Sequence, residues 1–170
     1  MQEFYVVDGY NIIHAWPEFE GMIDSGLDHC RDKLIHILAN FAGFDGSSVK
    51  VVFDAHLVKR GIEHREMVHG IEVFYTQEGE TADSLIERIV GDLGKQGTVY
   101  VVTSDWDEQR IIFGRGAYRL TPKEFRGQVM KVNRRREEEF NKPNPTEGYL
   151  EDKLPEDIRK ILEKWRRSKN

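Results

Sequence analysis

The stretch Phe4-Tyr5-Val6-Val7-Asp8 is an apolar run of strand length that ends in a carboxylate, and it decides the fold. The pattern returns in Val49-Lys50-Val51-Val52-Phe53-Asp54 and in Thr98-Val99-Tyr100-Val101-Val102-Thr103-Ser104-Asp105. Such near-continuous apolar runs are typical of parallel strands that are buried on both faces. The carboxyl ends of parallel strands share one edge of an open α/β sheet, and ligands bind at that edge. We therefore expect the three aspartates to lie close together.

Helical patterns separate these strands. Apolar residues at helical spacing predict an amphipathic helix over about residues 26–43, and a second one follows the strand Ile71-Glu72-Val73-Phe74-Tyr75 from Ala82 to Leu93. Residues 55–70 show little periodicity and are interpreted as a loop or a short helix. The alternation of strands and helices over residues 3–120 predicts a three-layer α/β/α sandwich with a mainly parallel sheet.

The C-terminal part of the chain is predicted to be helical. Thr121-Pro122-Lys123-Glu124 has the N-cap threonine, the N1 proline and the glutamate of a capping box, after a short edge strand at residues 117–120. This helix should run towards Phe140, where Pro143 and Pro145 prevent its continuation. We predict one main domain over residues 1–140. Residues 141–170 would form a linker and a basic C-terminal helix packed on the same domain.

Composition indicates a soluble protein of the cytoplasm. The 170 residues include one cysteine, Cys30, which falls on an apolar helical face and is expected in the core. No apolar run approaches a membrane span and no secretion signal is evident, so no membrane partner is expected. Residues 1–125 hold 12 Lys and Arg against 21 Asp and Glu, whereas residues 126–170 hold 13 against 9. The basic tail permits an RNA partner, and an ordinary solvated helical surface is an equal alternative.

The strand-terminal aspartates, together with Asp83 at the start of the second helix, predict a cation site. Carboxylates gathered at one edge repel one another unless a cation joins them, and hard oxygen ligands suit Mg²⁺ or Mn²⁺. Any single aspartate here could simply be a turn former or a helix cap. The repetition of the pattern at every clear strand end favours the metal interpretation.

The segment Asp8-Gly9-Tyr10-Asn11 is the most specific motif, because Gly9 permits a sharp turn and Asn11 can position a ligand, a water or the Asp8 carboxylate. With the motifs that follow it, this segment makes the chain resemble the NYN branch of the PIN-like nucleases, and more closely the bacterial YacP-type proteins. The resemblance covers essentially the whole chain. It rests on Val7-Asp8-Gly9-Tyr10-Asn11, Ala15-Trp16-Pro17, Val51-Val52-Phe53-Asp54-Ala55-His56-Leu57-Val58-Lys59, Glu80-Thr81-Ala82-Asp83, Thr103-Ser104-Asp105 with Glu108-Gln109, Ile112-Phe113-Gly114-Arg115-Gly116-Ala117 and Glu163-Lys164-Trp165-Arg166-Arg167.

The resemblance implies a PIN-like fold and a ribosome-associated endoribonuclease that cuts mRNA with the help of one or two divalent metals. Asp8, Asp83 and Asp105 fall on the acidic positions of the family, with Asn11 and Asp54 beside them. Asp107 matches the paired acids of the wider PIN group, and its alternative role is position N3 of a helix capped by Ser104. The expected reaction is phosphodiester hydrolysis by metal-activated water, for which no histidine is needed.

Basic and aromatic residues near these motifs are candidates for RNA contact. Phosphate contacts would give affinity with little sequence preference. Tyr10, Trp16 and Trp106 could stack on an unpaired base, although core packing is at least an equal alternative for the two tryptophans. The basic candidates are Lys59, Arg60, Arg65, Arg110, Arg115, Arg134, Arg135, Arg136, Arg166 and Arg167.

Three other function classes share parts of this pattern. A phosphotransfer receiver domain needs a lysine after its last strand, where this chain is acidic. A phosphatase with an aspartyl nucleophile usually has Asp-x-Asp, whereas this chain has Asp8-Gly9-Tyr10. The non-enzymatic alternative is a ribosome-binding or RNA-binding module with a PIN-like fold and an inert acidic pocket.

Overall fold

The structure is a computed structural model, which describes residues 2–54, 64–77, 79–104, 116–142 and 156–167. It separates into two compact units, Met1–Arg134 and Arg135–Asn170. The strands are β1 (Gln2–Asp8), β2 (Ser48–Phe53), β3 (His64–Val68), β4 (Ile71–Tyr75), β5 (Gly97–Val102) and β6 (Tyr118–Leu120). The α-helices are α1 (Gly9–Ala15), α2 (Leu27–Asp45), α3 (Ala82–Leu93), α4 (Pro122–Phe140) and α5 (Glu156–Arg167), and 3₁₀ turns occupy Pro17–Phe19 and Ile23–Ser25.

Within the described residues, the six strands form one sheet in the order β3-β4-β2-β1-β5-β6. All neighbouring pairs are parallel except β3 and β4, which are antiparallel. Along β1 the side chains alternate, so that Tyr5 and Val7 face α1, α2 and the start of α4, whereas Phe4 and Val6 face α3. Helices therefore cover both faces of the sheet, and the predicted three-layer α/β/α class is confirmed.

Local sequence signals explain where the helices begin and end. Thr121 accepts a hydrogen bond from the Glu124 N–H at 3.2 Å, and the Glu124 carboxylate accepts one from the Thr121 N–H at 2.8 Å, so the predicted capping box of α4 is present. The helix α2 extends two residues beyond its predicted end. It stops at Gly46, which has the left-handed φ of 79° and donates its N–H to the Ala42 carbonyl at 2.9 Å.

The interpretation of residues 55–70 as a loop or short helix was wrong for residues 64–68. These residues form β3, and the turn His69-Gly70, with φ of 50° and 86°, joins it to β4. The strand lies at the edge of the sheet, and no residue of it is fully buried. An edge strand without an apolar face has no alternating pattern that sequence reading can detect.

The second unit contains the end of α4 and the amphipathic helix α5. Ile158 and Ile161 of α5 are 43% and 55% exposed, and Phe140 at the end of α4 is 83% exposed. The predicted boundary at residue 140 and the docking of α5 on the main domain stay predictions. No helix among the described residues is long and apolar enough to cross a membrane.

Candidate active site

The candidate site lies where the strand order reverses. From β1 the sheet continues through β2 and β4 on one side and through β5 and β6 on the other. The carboxyl ends of β1 and β5 are therefore adjacent at a topological switch point, the usual ligand site of an open α/β sheet. Asp8 ends β1, and Ser104 follows β5 by two residues. The topology thus brings the two chain segments that the sequence motifs emphasise to one point.

Asp8 is a buried carboxylate, only 6% exposed to solvent. It caps α1 by accepting hydrogen bonds from the Asn11 backbone N–H at 3.3 Å and from the Asn11 Nδ2 at 2.6 Å. Burial raises the pKa of Asp8 to about 6, the two Asn11 hydrogen bonds lower it, and the negative charges of Asp83 and Asp54 raise it. Asp8 is therefore both a helix cap and a desolvated carboxylate. Its role as a helix cap is compatible with the predicted role as a metal ligand.

Asn11 joins the ends of β1 and β5. While its Nδ2 donates to Asp8, its Oδ1 accepts hydrogen bonds from the Ser104 N–H at 3.1 Å and from the Ser104 hydroxyl. This chain of contacts fixes the Asp8 carboxylate in orientation and ties it to the segment that leads to Asp105. The sequence placed Asn11 next to Asp8 and left its role open. It did not indicate the contact with Ser104, which spans 93 residues.

Gly9 is required for packing. The Phe53 ring lies against its Cα, so that a Cβ at this position would overlap ring atoms. Phe53 is fully buried, and its ring packs edge-on against Tyr10 at 5.3 Å between centroids. Gly9 is the first residue of α1 and is absent from the glycines with positive φ. Close approach of α1 to β2, which carries Asp54 at its end, therefore explains this glycine better than the predicted sharp turn.

The other predicted acids have different placements. Asp83 is exposed in the first turn of α3, and Asp54 is half-buried directly after β2. Both lie near enough to Asp8 for their charges to raise its pKa. Asp105 and Asp107 fall outside the described residues. Within the described ranges, no three His, Cys, Asp or Glu side chains converge closely enough to hold a metal ion, so the full ligand set stays a prediction.

Two residues that the sequence did not single out for the site support it. Arg31 of α2 is buried, donates a hydrogen bond to the Tyr10 hydroxyl at 2.9 Å and forms an ion pair with Asp28. Burial raises the pKa of Tyr10, while Arg31 lowers it. A cation beside Cys30 on the apolar stripe of α2 was a detectable signal, because a buried charge needs a partner. Ser104, the second residue, belongs to the Thr103-Ser104-Asp105 motif, but the sequence predicts for its side chain only the role of a helix cap.

A cavity of about 350 Å³ opens beside this network. Its lining residues are Tyr10, Asn11, His14, Ala15 and Ser104. His14 and Ala15 are exposed at its rim, and Tyr10 is buried with its hydroxyl held by Arg31. The cavity therefore shares two wall residues, Asn11 and Ser104, with the hydrogen-bond chain that orients Asp8.

The candidate RNA-contacting residues have mixed environments. Arg65 of β3 pairs with Glu72 at 2.6 Å and lies 5.4 Å from the Phe74 ring centroid, although its side chain is 64% exposed. Arg134 and Arg135 are exposed and Arg136 is half-buried. The positions of Lys59, Arg60, Arg110 and Arg115 and the side chains of Arg166 and Arg167 lie outside the described residues.

Trp16 and Cys30 are core residues. Trp16 is 3% exposed and donates its indole N–H to the Pro122 carbonyl at 2.8 Å, so core packing prevails over base stacking. Cys30 is fully buried, as predicted. Trp106, the other tryptophan considered for stacking, lies outside the described residues.

Comparison with known proteins identifies the family. A family model described as the YacP-like NYN domain matches residues 5–167. The chain belongs to the YacP-like NYN family. It is 40% identical over 166 residues to the Bacillus subtilis (strain 168) protein named "Uncharacterized protein YacP", covering 97% of each chain.

Solved structures of this YacP-like family confirm the fold. The chain matches the crystal structure of Rae1 (YacP) from Bacillus subtilis with a TM-score of 0.72 and 39% identity, over 96% of this chain and 94% of that chain. A tryptophan-to-leucine mutant of the same Bacillus subtilis protein matches with a TM-score of 0.72 and 32% identity, over 96% of this chain and 98% of that chain. Family membership is consistent with a nuclease or RNA-related function.

Proposed function

We propose that this protein is a metal-dependent endoribonuclease that hydrolyses RNA phosphodiesters. The observation that carries the proposal is the buried Asp8 carboxylate at the switch point, held by Asn11 and within electrostatic reach of Asp83 and Asp54. A structural cap alone would not need two further carboxylates close to a desolvated one, because each adds repulsion. Membership of the YacP-like NYN family supports the same activity.

The chemistry of the donor set fits Mg²⁺ or Mn²⁺. Carboxylate oxygens on Asp8, Asp83 and Asp54 are hard ligands, and their mutual repulsion would be relieved by a divalent cation. We propose Asp8, Asp83 and Asp105 as the principal ligands, with Asp54 and Asp107 as further candidates. A bound divalent cation would activate water as the nucleophile and stabilise negative charge at phosphorus and at the leaving oxygen.

The residues of the chain prepare Asp8 for this role. With a pKa of about 6, its carboxyl group is mostly ionised at neutral pH and available as an anionic ligand. The hydrogen bonds through Asn11 to Ser104 hold the carboxylate in one orientation, so little rearrangement is needed when a cation or substrate binds. Removal of Asn11 should therefore weaken cation binding without removing a charged ligand.

The proposed substrate is mRNA, and the proposed partner is the ribosome, which would place the protein in the cytoplasm. The resemblance over the whole chain motivates both, and exposed Arg134 and Arg135 of α4 could contact phosphate. The competing function is a non-catalytic RNA-binding or ribosome-binding module. It accounts for the basic residues but gives no role to Asp83 and Asp54, whose charges raise the pKa of Asp8.

An RNA cleavage assay separates the two functions. Purified protein would be incubated with labelled RNA in Mg²⁺, in Mn²⁺ or in EDTA, both alone and with translating ribosomes. We expect cleavage products only when a divalent cation is present. RNA or ribosome binding without cleavage under every condition would favour the non-catalytic module, and cleavage that persists in EDTA would refute the metal-dependent mechanism.

A further inference from the structure

The cavity beside Asn11 is chemically different from the acidic centre next to it. Its lining residues in the described part of the chain include no Asp, Glu, Lys or Arg. A phosphate group would need a cation or a set of aimed N–H donors here. The cavity, at about 350 Å³, has the size of a small-ligand pocket. Its lining therefore suits a neutral, partly apolar group.

The Tyr10 side of this cavity is held by ring packing and by a hydrogen bond. The Tyr10 ring packs against Phe53 with centroids 5.3 Å apart, and the Tyr10 hydroxyl is held by buried Arg31 at 2.9 Å. Because Tyr10 is only 8% exposed, binding of a ligand would cost little additional side-chain entropy at this residue. A preorganised pocket of this kind binds at lower entropic cost than a mobile surface.

The cavity is also in direct contact with the Asp8 network. Asn11, which lines it, donates to Asp8 at 2.6 Å, and Ser104 on another wall donates to Asn11 at 3.1 Å. A group in the cavity therefore lies beside the carboxylate centre. His14 at the rim offers a planar ring that can stack and ring nitrogens that can donate or accept.

We propose that this cavity binds an unpaired nucleobase of the RNA substrate, next to the phosphodiester that is cleaved. The inference rests on the proposed endoribonuclease function and assigns it a base subsite in which exposed His14 and Ala15 contact the base and buried Tyr10 supports the wall behind them. Asn11 and Ser104 connect this subsite to Asp8. Proteins commonly read single-stranded RNA by splaying out an unstacked base and holding it against aromatic or planar side chains.

Binding of mononucleotides tests the subsite without cleavage. The full-length ¹⁵N-labelled protein in EDTA would be titrated with AMP and UMP and, as a control that lacks the base, with ribose 5-phosphate. We expect at least one nucleotide to shift the amide resonances of Tyr10, His14 and Ala15, and ribose 5-phosphate to leave them in place. Equal shifts with ribose 5-phosphate, or no nucleotide-induced shift at these residues, would overturn the proposal.

Two variants locate the binding within the cavity. Ala15→Trp should fill the cavity and remove the shifts, and His14→Ala should weaken nucleotide binding at least about fivefold, as expected for loss of a base-stacking ring. The control is His29→Ala, since His29 is an exposed histidine on α2 and not a lining residue. Nucleotide binding that survives both cavity variants, in proteins with native-like spectra, would contradict the base subsite.

The RNA cleavage assay keeps this inference separate from the proposed function. Ala15→Trp should raise the KM for RNA at least about fivefold, while His29→Ala should leave it unchanged. If nucleotides bind the cavity but the unmodified protein never cleaves RNA, the nuclease proposal fails and base binding stands. If Ala15→Trp cleaves RNA with an unchanged KM, the base subsite is refuted and the nuclease proposal stands.

Discussion

Replacement of Asp8 by asparagine is expected to stabilise the fold while it abolishes RNA cleavage. Asp8 is 6% exposed, and its pKa is raised from 3.8 to about 6 by burial, with further increases from Asp83 and Asp54. The folded protein therefore holds the Asp8 proton more tightly than the unfolded chain does. As the pH rises from about 4 to about 6, ionisation of Asp8 lowers the free energy of unfolding, and this loss persists at neutral pH.

The magnitude follows from the shift of about 2.2 pKa units, which corresponds to about 3 kcal/mol at neutral pH. Asparagine carries no charge and is as good an N-cap as aspartate. Its amide would present either an acceptor or a donor to the Asn11 Nδ2, which now donates to Asp8 at 2.6 Å. This shift already includes the hydrogen bonds from Asn11, which lower the Asp8 pKa, so the expected gain for Asp8→Asn is about 3 kcal/mol at most.

Urea unfolding in EDTA measures this gain at about pH 4 and at about pH 7.5. Asp8→Asn should be more stable than the unmodified protein at the higher pH and should lose most of this advantage at the lower pH. The control is Asp92→Asn, because Asp92 is an exposed aspartate on α3. A gain of the same size at both pH values, or a loss of stability at about pH 7.5, would refute the assignment of Asp8 as a desolvated carboxylate.

Three further predictions test other parts of the fold and the tail. Gly9→Ala should lower the free energy of unfolding by about 1–3 kcal/mol in urea melts because the new Cβ overlaps the buried Phe53 ring, and a neutral or stabilising effect would contradict the packing. Glu18→Gln should lower the thermal midpoint at pH 7, because the bidentate contact with Arg126 holds the pKa of Glu18 below its usual range. The difference from the unmodified protein should vanish in acid, where Glu18 is protonated. A difference that persists at low pH would refute this cause. Neutral replacement of the basic tail should give a shallower salt dependence of ribosome co-sedimentation, whereas an unchanged slope would show a merely solvated surface. The replaced residues are Arg134, Arg135, Arg136, Arg166 and Arg167.

The elements that the sequence predicted correctly carry strong local signals. The apolar run ending at Asp8 forms the buried strand β1, and the Thr121–Glu124 capping box begins α4. The helix α3 covers the predicted residues because its apolar side chains face one side of the sheet. In each case the spacing of a few neighbouring residues determines the structure.

The features that the sequence did not predict depend on contacts between distant residues. Edge strand β3 has no buried side and is defined by its pairing with β4. The hydrogen bond between Asn11 and Ser104 joins positions 93 residues apart. Burial of Arg31 is stable because the Tyr10 hydroxyl and Asp28 lie beside it, which a helical pattern alone does not specify. Such partners become visible only when the strand order is known.

The most direct test of the central claim compares two aspartates on one helix. Asp83 lies in the first turn of α3, near enough to Asp8 for its charge to raise the Asp8 pKa, whereas Asp92 is an exposed residue near the other end of the helix. Cleavage of labelled mRNA on translating ribosomes in Mg²⁺ would be measured for the unmodified protein, Asp83→Asn and Asp92→Asn. We predict that Asp83→Asn lowers the cleavage rate at least about a hundredfold and that Asp92→Asn leaves it unchanged. Equal rates for all three well-folded proteins would contradict the assignment of the carboxylates around Asp8 as the active site.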